Sequence, residues 1–251
     1  MSPGDAPLLR VESIGSTNDE LVRLAHLGAV DGTALVAATQ TGGHGRRGRS
    51  WQGLPGGHIY LSLLHRSRLP AARLAGLTLD IGAAVAGVLE GYGLHPGLKW
   101  PNDLQLDGAK VGGILCELVD PERAPAVVIG LGLNVDACPL PAELAHATTL
   151  GAHLGPDTPS VEALTPRLVD ALRAACRADD ARGGPDLDGW TRRAGGLGRR
   201  VRDLDPVATR AGVITGVAAD GALLVHWDGA PAPERFVAGD LALADPPRET
   251  A

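Results

Sequence analysis

A run of glycines and arginines at 41–51, TGGHGRRGRSW, constrains this chain more than any other stretch. Glycine reaches positive φ without steric cost, so backbone N–H groups can crowd together there. Arg46, Arg47 and Arg49 add permanently charged, forked donors. Because the arginines repel one another until an anion neutralises them, the sequence predicts a loop that binds phosphate or carboxylate and gains order when it is filled.

The residues beside this loop narrow the choice of ligand. A strand-like apolar run at 35–39 leads into Gln40, and Trp51 closes the loop with a flat ring suited to stacking on a base. A solvated basic loop or a nucleic-acid patch is the alternative, since short basic runs are common. The strand, the loop and the ring together favour a nucleotide site.

Composition bounds the size of the chain and its partners. The 251 residues, 44% of them apolar, suit one large domain or one large and one small domain. The formal net charge of −6 argues against a general affinity for nucleic acid. The arginine cluster is therefore a local feature whose target is small.

The sequence shows no signal for a membrane, a disulfide framework or a metal. No apolar run is long enough to span a bilayer, and residues 1–7 lack a secretory pattern, so we expect a cytoplasmic protein. Cys116, Cys138 and Cys176 are widely spaced without a CxxC pair, which indicates reduced thiols. The eight histidines lack metal-ligand spacing, so we expect neither zinc nor another fixed metal site.

Three helices have recognisable beginnings. Ser16 and Asp19 form a capping box that opens an amphipathic helix, whose N-terminus can also offer donors to a ligand. A second helix follows Pro70, with apolar residues at 74, 77, 81, 85 and 88 on one face, after a strand at 59–64. Thr165 followed by Pro166 predicts the start of a third helix.

The stretch 98–106 predicts a strand that is interrupted at a proline. Pro101 cannot donate to a sheet ladder, so the chain must bulge or leave the sheet just after Lys99. Asn102 and Asp103 are thereby presented at an irregular position, which is typical of an active-site rim. An Asp-Gly pair at 107–108 then predicts a tight hairpin turn.

Glycines interrupt the two apolar strands that follow. Gly112 and Gly113 indicate either a β-bulge or a close approach of another group to the backbone. The run 127–135, VVIGLGLNV, reads as a buried strand that brings Asn134 within reach of a base edge. Its GxGxN pattern lacks the third glycine and the strand-to-helix setting of a dinucleotide fold, which excludes that interpretation.

The C-terminal part changes to short strands. They are predicted at 201–204, 211–217, 222–227, 235–237 and 241–243. Trp190 is expected to anchor the end of the larger domain, and Gly195 and Gly196 mark a hinge. We therefore predict domains at 1–195 and 196–251, the second a small SH3-like β-barrel.

Four motifs together resemble those of the biotin protein ligases, also called biotin–acetyl-CoA-carboxylase ligases. They are GHGRRGRSW at 43–51, KWPND at 99–103, KVGGIL at 110–115 and GLGLN at 130–134, in the order and spacing of that family. The resemblance runs from about Ser13 through the C-terminal segment. His44 departs from it, because the family usually has arginine there. The exchange is mild if that position acts through its backbone, whereas a guanidinium contact to phosphate would be weakened and become pH-dependent.

The resemblance implies a fold and a reaction. The fold is α+β, a mixed β-sheet flanked by helices of the class II synthetase-like, biotin–lipoate ligase type, with an SH3-like β-barrel. ATP and biotin, with Mg²⁺ on the phosphates, give biotinyl-5′-AMP, and a lysine of a biotin carboxyl carrier protein takes the biotin. No tightly bound organic cofactor is expected. Ser16 lies so near the start that the monofunctional type is expected, without DNA or membrane partners; a homodimer through a sheet edge stays open.

The resemblance also assigns roles to residues. Catalysis falls to Lys99, Arg46, Asp103 and Lys110, with Lys99 bridging carboxylate and α-phosphate and Asp103 as a hypothetical base for the acceptor lysine. Biotin is assigned to Ser16, Thr17, Asn18, Gln40, His44, Gly45, Arg46, Lys99, Gly112 and Gly113. ATP and the adenylate are assigned to Arg46, Arg47, Arg49, Trp51, Lys99, Asn102 and Asn134, with Trp51 and Asn134 on adenine.

Two alternatives remain at this stage. Lipoate and octanoate ligases or transferases share the fold and chemistry, but the arginine loop with KWPND is the biotin pattern. The other is a sensor that binds biotin or nucleotide without turnover, against which the intact Lys99, Asp103 and Lys110 argue.

Overall fold

The computed structural model describes residues 6–51, 57–119, 125–136, 140–205, 210–237 and 239–243. The strands are β1 (Leu8–Ile14), β2 (Ala34–Gln40), β3 (His58–Arg66), β4 (Gly97–Lys99), β5 (Asp103–Leu106), β6 (Ala109–Val119), β7 (Ala126–Asn134), β8 (Arg200–Asp203), β9 (Ala211–Val217), β10 (Leu223–Trp227), β11 (Glu234–Phe236) and β12 (Leu241–Leu243). The α-helices are α1 (Thr17–His26), α2 (Leu77–Glu90), α3 (Leu150–Leu154), α4 (Val161–Arg182) and α5 (Leu187–Thr191).

The larger sheet has seven strands in the order β1-β2-β3-β7-β6-β5-β4. Only β1 and β2 run parallel; the other neighbours are antiparallel. Since neighbouring side chains alternate, Leu64 faces one core with α1, and Leu63 faces a second core with α2 and α4. The predicted mixed sheet flanked by helices is confirmed.

The capping box at the start of α1 is present as predicted. Ser16 has extended backbone angles, and its side chain accepts a hydrogen bond from the Asp19 N–H at 3.3 Å. Leu21 and Ala25, four residues apart, are buried against the sheet. The N-terminus of α1 is thereby fixed over the sheet surface.

The other two helices begin elsewhere than predicted. After Pro70 the chain makes a short 3₁₀ turn, and α2 starts at Leu77. The prediction that Thr165 opens a helix is wrong, because Ser160 caps α4 five residues earlier by accepting the Ala163 N–H. Pro166 therefore lies inside α4, where it removes one backbone donor.

The two predicted irregularities around β5 are both present. The chain turns between β4 and β5 at Pro101, so β5 starts afresh at Asp103. Asp107 and Gly108 have φ of 49° and 82°, the pair of positive values that a type I′ hairpin turn requires. The pairing of β5 with β6 then shifts by one residue at Val111, which is a β-bulge beside the glycines.

The smaller sheet is antiparallel with the order β11-β10-β9-β8-β12, and it contains all five predicted strands. It packs on the larger sheet through Trp100, whose ring centroid lies 5.6 Å from that of Phe236. The Trp100 Nε1–H donates to the Gly221 carbonyl at 3.0 Å. Trp190 on α5 is buried in the same core. The division at residue 196 stays a prediction.

Cys116 and Cys176 are free thiols, and burial raises the pKa of Cys116 to about 11. Cys138 lies outside the described residues. None of the helices described has the length and apolar character needed to cross a membrane.

Candidate active site

The sheet face that α1 covers changes character along three neighbouring strands. Beneath α1 it is apolar, with Leu64, Val119 and Val128 in one cluster. Toward the N-terminal end of α1 most residues on the same face are small or polar: Ser62 and Tyr60 on β3, Gly130 and Gly132 on β7, and Glu117 and Gly113 on β6, with Leu115 as the exception. Because small residues leave space above a sheet, a groove opens there.

This groove is a cavity of about 430 Å³ that extends under the glycine-arginine loop to the smaller sheet. Nearly all the residues predicted for the site line it: Ser16, Thr17, Asn18, Gln40, His44, Gly45, Arg46, Arg47, Arg49, Trp51, Lys99, Asn102, Asp103, Lys110, Gly113 and Asn134. Gly112 does not, because β6 alternates and a Cβ at Gly112 would meet Leu133 in the core. The structure thus gathers four separate motifs around one space.

One end of the cavity, which we call the polar end, is lined by Thr17, Asn18 and Gln40, and Ser62 and Glu117 are hydrogen-bonded behind these side chains. The Gln40 Oε1 accepts from the Thr17 N–H at 2.7 Å and from its hydroxyl at 2.9 Å. The Ser62 hydroxyl lies 2.8 Å from the Thr17 Oγ1 and 2.5 Å from the Asn18 Oδ1. The Asn18 Nδ2 donates to the Glu117 Oε2 at 2.6 Å. These contacts make one continuous hydrogen-bonded network.

Ser62 and Glu117 are functional candidates that the sequence analysis missed. Ser62 is fully buried, and the signal for it was the one serine in the apolar run 59–64. Glu117 has Gly113 and Leu115 as neighbours on its face of β6, a spacing of two that was visible in the sequence. Nothing in either strand indicates which face carries the site.

The other end of the cavity, the cationic end, is formed by Arg46, Arg47 and Arg49 of the loop. Arg47 adopts a positive φ of 59° within a short 3₁₀ turn. Asp240, before β12, accepts from Arg47 at 3.5 Å and also pairs with Arg49. Burial lowers the pKa of Arg46, an effect that Asp240 opposes. The smaller sheet therefore supplies an anion to the loop, which no local sequence signal indicated.

The sequence holds two lysines, Lys99 and Lys110, and both line this cavity. The Lys110 Nζ pairs with the Asp103 Oδ1 at 2.6 Å and lies 5.3 Å from the centroid of the Trp51 ring. In the described part of the chain, Lys99 forms no ion pair. All the other members of the 23 lysines and arginines in the chain are arginines. The ammonium groups of lysine therefore occur at the cavity and nowhere else in the sequence.

The Trp51 ring lies against the backbone of β6 and β7. A Cβ at Gly132 would overlap the ring, and a Cβ at Gly113 would come within 3.1 Å of it. The close approach predicted at the glycines of β6 is thus made, in part, by Trp51 itself. The Asn134 Nδ2 donates to the Thr148 carbonyl at 3.0 Å, which leaves the Asn134 oxygen as its group for a ligand.

No three histidine, cysteine, aspartate or glutamate side chains converge to hold a metal ion within the described ranges. The polar end can pair with a ligand that carries both donors and acceptors. The cationic end and the two lysines can neutralise at least two anionic groups. The arrangement suits a reaction that brings two anions together.

Comparisons with known proteins agree with this geometry. A model of the "Biotin/lipoate A/B protein ligase family" matches residues 11–134. The chain is 32% identical over 248 residues to a biotin–[acetyl-CoA-carboxylase] ligase of Paracoccus denitrificans, covering 89% of this chain and 98% of that one. It is 36% identical over 146 residues to the bifunctional ligase/repressor BirA of Bacillus subtilis, covering 57% of this chain but 45% of the relative, less than half its length.

A solved structure resembles the fold as a whole. The biotin protein ligase from Aquifex aeolicus in complex with biotin and ATP superposes with a TM-score of 0.80 at 26% identity, covering 94% of this chain and 98% of that one. The likeness includes both sheets, since nearly all of each chain is aligned.

Proposed function

This chain belongs to the biotin/lipoate A/B protein ligase family, and we propose that within it the protein is an ATP-dependent biotin protein ligase. The biotin carboxylate attacks the α-phosphate of ATP, an acyl–phosphate bond forms and pyrophosphate leaves. The amine of a carrier-protein lysine then attacks the acyl carbon, an amide bond forms and AMP leaves. The observation that carries this proposal is one cavity with a neutral hydrogen-bonding end and a cationic end.

The polar end favours biotin over a lipoyl or octanoyl group. The ureido ring of biotin offers one carbonyl acceptor and two N–H donors, which can pair with the cavity-lining side chains of Thr17, Asn18 and Gln40. An apolar acyl chain would take water away from the oxygens of these groups that face the cavity without offering them a donor, at about 1–3 kcal/mol for each oxygen. The same physics gives a hydrogen-bonding site strong discrimination against an apolar analogue.

The cationic end is proposed to bind the phosphates of ATP. Arg46, Arg47 and Arg49 supply the charge, and Trp51 and Asn134 are proposed to hold adenine by stacking and by a hydrogen bond. Mg²⁺ would enter with the triphosphate, whose charge it offsets. When ATP binds, its phosphates would replace the Asp240 carboxylate as the partner of Arg47 and Arg49.

The two lysines are proposed to share the work at the reacting centre. Lys99 has no ion pair among the described side chains and can follow the carboxylate and α-phosphate as they approach, the bridging role expected from the sequence. Lys110 is held in place by Asp103 and by the Trp51 ring. Asp103 would serve as a base in the transfer step only after that pair opens, so its first role is to position Lys110.

The remaining proposals concern partners and organisation. The acceptor is a biotin carboxyl carrier protein domain. A homodimer could form along β6, whose ladder with β5 ends at Gly113 and whose Ile114 backbone pairs with Asn102, so that in the described residues the edge of β6 is free from Cys116 onward. We retain the division at residue 196 and the cytoplasm, where free Cys116 and Cys176 would stay reduced.

Mass spectrometry of the products from Mg-ATP with biotin, lipoate or octanoate tests the proposal. Wild type should give biotinyl-AMP and pyrophosphate from biotin alone. Lys99→Ala and Lys110→Ala should each lower the rate about 100- to 1000-fold, the loss of about 3–4 kcal/mol typical of a removed oxyanion donor. Arg23→Ala, an exposed cation paired with Glu20, is the control. Adenylates of lipoate or octanoate would move the protein to the sister activities, and no adenylate at all would favour the sensor.

A further inference from the structure

Glu117 touches both the polar end of the cavity and the glycine-arginine loop. We infer that Glu117 is a positioning residue that fixes the orientation of Asn18 for biotin recognition and couples the polar end to His44 of the loop. This inference rests on the proposed function. It is drawn from the two oxygens of one carboxylate, each of which faces a different element.

The first oxygen sets the direction of the Asn18 amide. A carboxylate only accepts hydrogen bonds, so the Asn18 group that lies 2.6 Å from the Glu117 Oε2 must be the Nδ2 donor. The Leu115 carbonyl, 3.5 Å from the same nitrogen, is also an acceptor and favours the same orientation. The Asn18 Oδ1 is thereby turned toward Ser62, at 2.5 Å. A flipped amide would set acceptor against acceptor.

This orientation determines where the network needs a proton. Since Asn18 offers an oxygen, the Ser62 hydroxyl donates to it and can only accept from Thr17. Two hydroxyl protons then serve three contacts, those of Ser62 with Asn18, Ser62 with Thr17, and Thr17 with Gln40. One of these oxygen–oxygen contacts therefore carries no proton, and the Thr17 Oγ1 and Gln40 Oε1, which belong to residues that line the cavity, keep lone pairs to which an N–H of the ureido ring can donate. Glu117 thus makes this end selective for a ligand that donates.

The second oxygen faces the loop. The Glu117 Oε1 lies 3.6 Å from the His44 Nε2, and the Asp19 Oδ1 lies 3.8 Å from the same nitrogen. Within the loop, His44 forms an isolated antiparallel β-bridge with Ser50. Movement of the loop therefore changes the surroundings of Glu117 and, through Glu117, the position of the Asn18 amide.

Glu117→Gln tests the orienting role with almost no change in shape. A glutamine can donate as well as accept, so the Asn18 amide is free to turn. We expect the Kd of biotin by calorimetry, and its KM, to rise about tenfold, while kcat and the KM of ATP stay within twofold. Glu20→Gln, which removes a carboxylate from the same helix as Asn18, should change none of them. Glu117→Asp, which keeps the charge but is too short to reach, should weaken biotin binding as well.

Two results would overturn the inference. One is an unchanged biotin affinity in Glu117→Gln; the other is an equal change in both KM values with a lower melting temperature, which would mean a merely structural role. Formation of biotinyl-AMP by the wild type distinguishes failure of this inference from failure of the proposed function. If the wild type forms no biotinyl-AMP, the function is wrong, whereas an active wild type with an indifferent Glu117→Gln removes only the inference.

A double-mutant cycle tests the coupling to the loop. His44→Gln and Glu117→Gln should each reduce the protection of 42–51 from protease that biotin confers, and the double variant should lose no more than the worse single variant. Additive losses would show that the two residues act independently and would contradict the coupling.

Discussion

The two ends of the cavity are built from opposite kinds of interaction. At the polar end Thr17, Asn18 and Ser62 are at most 5% exposed and are joined by short, neutral hydrogen bonds on α1 and β3. At the cationic end Arg47 and Arg49 have side chains 56% and 68% exposed and are held by Asp240 of the other sheet. One end is preorganised, and the other is held in place by a replaceable anion.

The difference follows from what each end is proposed to bind. A neutral ring gives little electrostatic energy, so its site must be formed beforehand and lose no entropy on binding. A triphosphate binds with a large electrostatic free energy, which can offset the entropy that is lost when the loop becomes ordered. The comparison predicts that steric changes are felt most at the polar end, and charge changes at the cationic end.

Among the changes that compare the two ends, Gly130→Ala should have the largest effect, because it places a Cβ into the Asn18 side chain. Asn18 cannot move aside, since its amide is tied to both Ser62 and Glu117. Overpacking of this kind costs about 1–3 kcal/mol. We expect the KM of biotin to rise about 30- to 100-fold, with the KM of ATP nearly unchanged, in a steady-state assay. A small effect would mean that the polar end is not preorganised.

Gly132→Ala, two residues along the same strand, is the matched change at the other end. Its Cβ would overlap the Trp51 ring. Because Trp51 belongs to the loop, the ring can shift with it, and we expect about a tenfold higher KM for ATP, or about 1.4 kcal/mol. The KM of biotin should change less. If Gly130→Ala and Gly132→Ala changed the KM values of biotin and ATP equally, the proposed difference between the two ends would be wrong.

Asp80 lies on α2, on the face of the sheet opposite the cavity, and its effect should be on stability alone. Burial raises its pKa to about 7, although Asp186 N–H and Arg182 favour the charged form. The folded protein therefore keeps a proton, between pH 4 and pH 7, that the unfolded chain has lost. The unfolding free energy should fall as pH rises through that window, by about 2 kcal/mol from pH 5.5 to 7.5.

Asp80→Asn has no such proton to lose, so its stability should depend less on pH in this range. Chemical denaturation at several pH values measures the difference, with the exposed Asp170→Asn as the control. Asp179, whose pKa burial also raises, keeps part of the dependence. A wild type that grows more stable toward pH 7.5 would show that the Arg182 pair outweighs burial.

Most of the fold could be predicted from the sequence because its signals are local. The type I′ turn at 107–108 and the strands of the smaller sheet follow from turn residues and alternation. The start of α4 could not, because Ser160 and Thr165 both suit a cap and only packing decides between them. Motif spacing found the polar end at Asn18, but alternation alone does not say which of Gly112 and Gly113 faces the cavity.

The contact of Asp240 with the loop is the part that no sequence signal could supply. Asp240 lies 193 positions from Arg47 and 191 positions from Arg49. It precedes β12 of the smaller sheet, whereas the arginines belong to the loop that follows β2 of the larger sheet. Asp240 stands in for the anion that the arginines were expected to require from a ligand. The loop thus has an internal source of order, which the sequence analysis did not foresee.

Asp240→Asn should have the smallest effect and the one most specific to the cationic end. Exposed ion pairs contribute about 0.5 kcal/mol, so protease cleavage within 42–51 should rise about two- to threefold in the ligand-free enzyme. Added salt should do the same to the wild type, since it screens the same pairs, and should leave Asp240→Asn unaffected. With biotin and ATP present the two proteins should be cut equally, because phosphate has then replaced the carboxylate. If cleavage differs even then, Asp240 holds the loop together with the ligand, and the cationic end is preorganised after all.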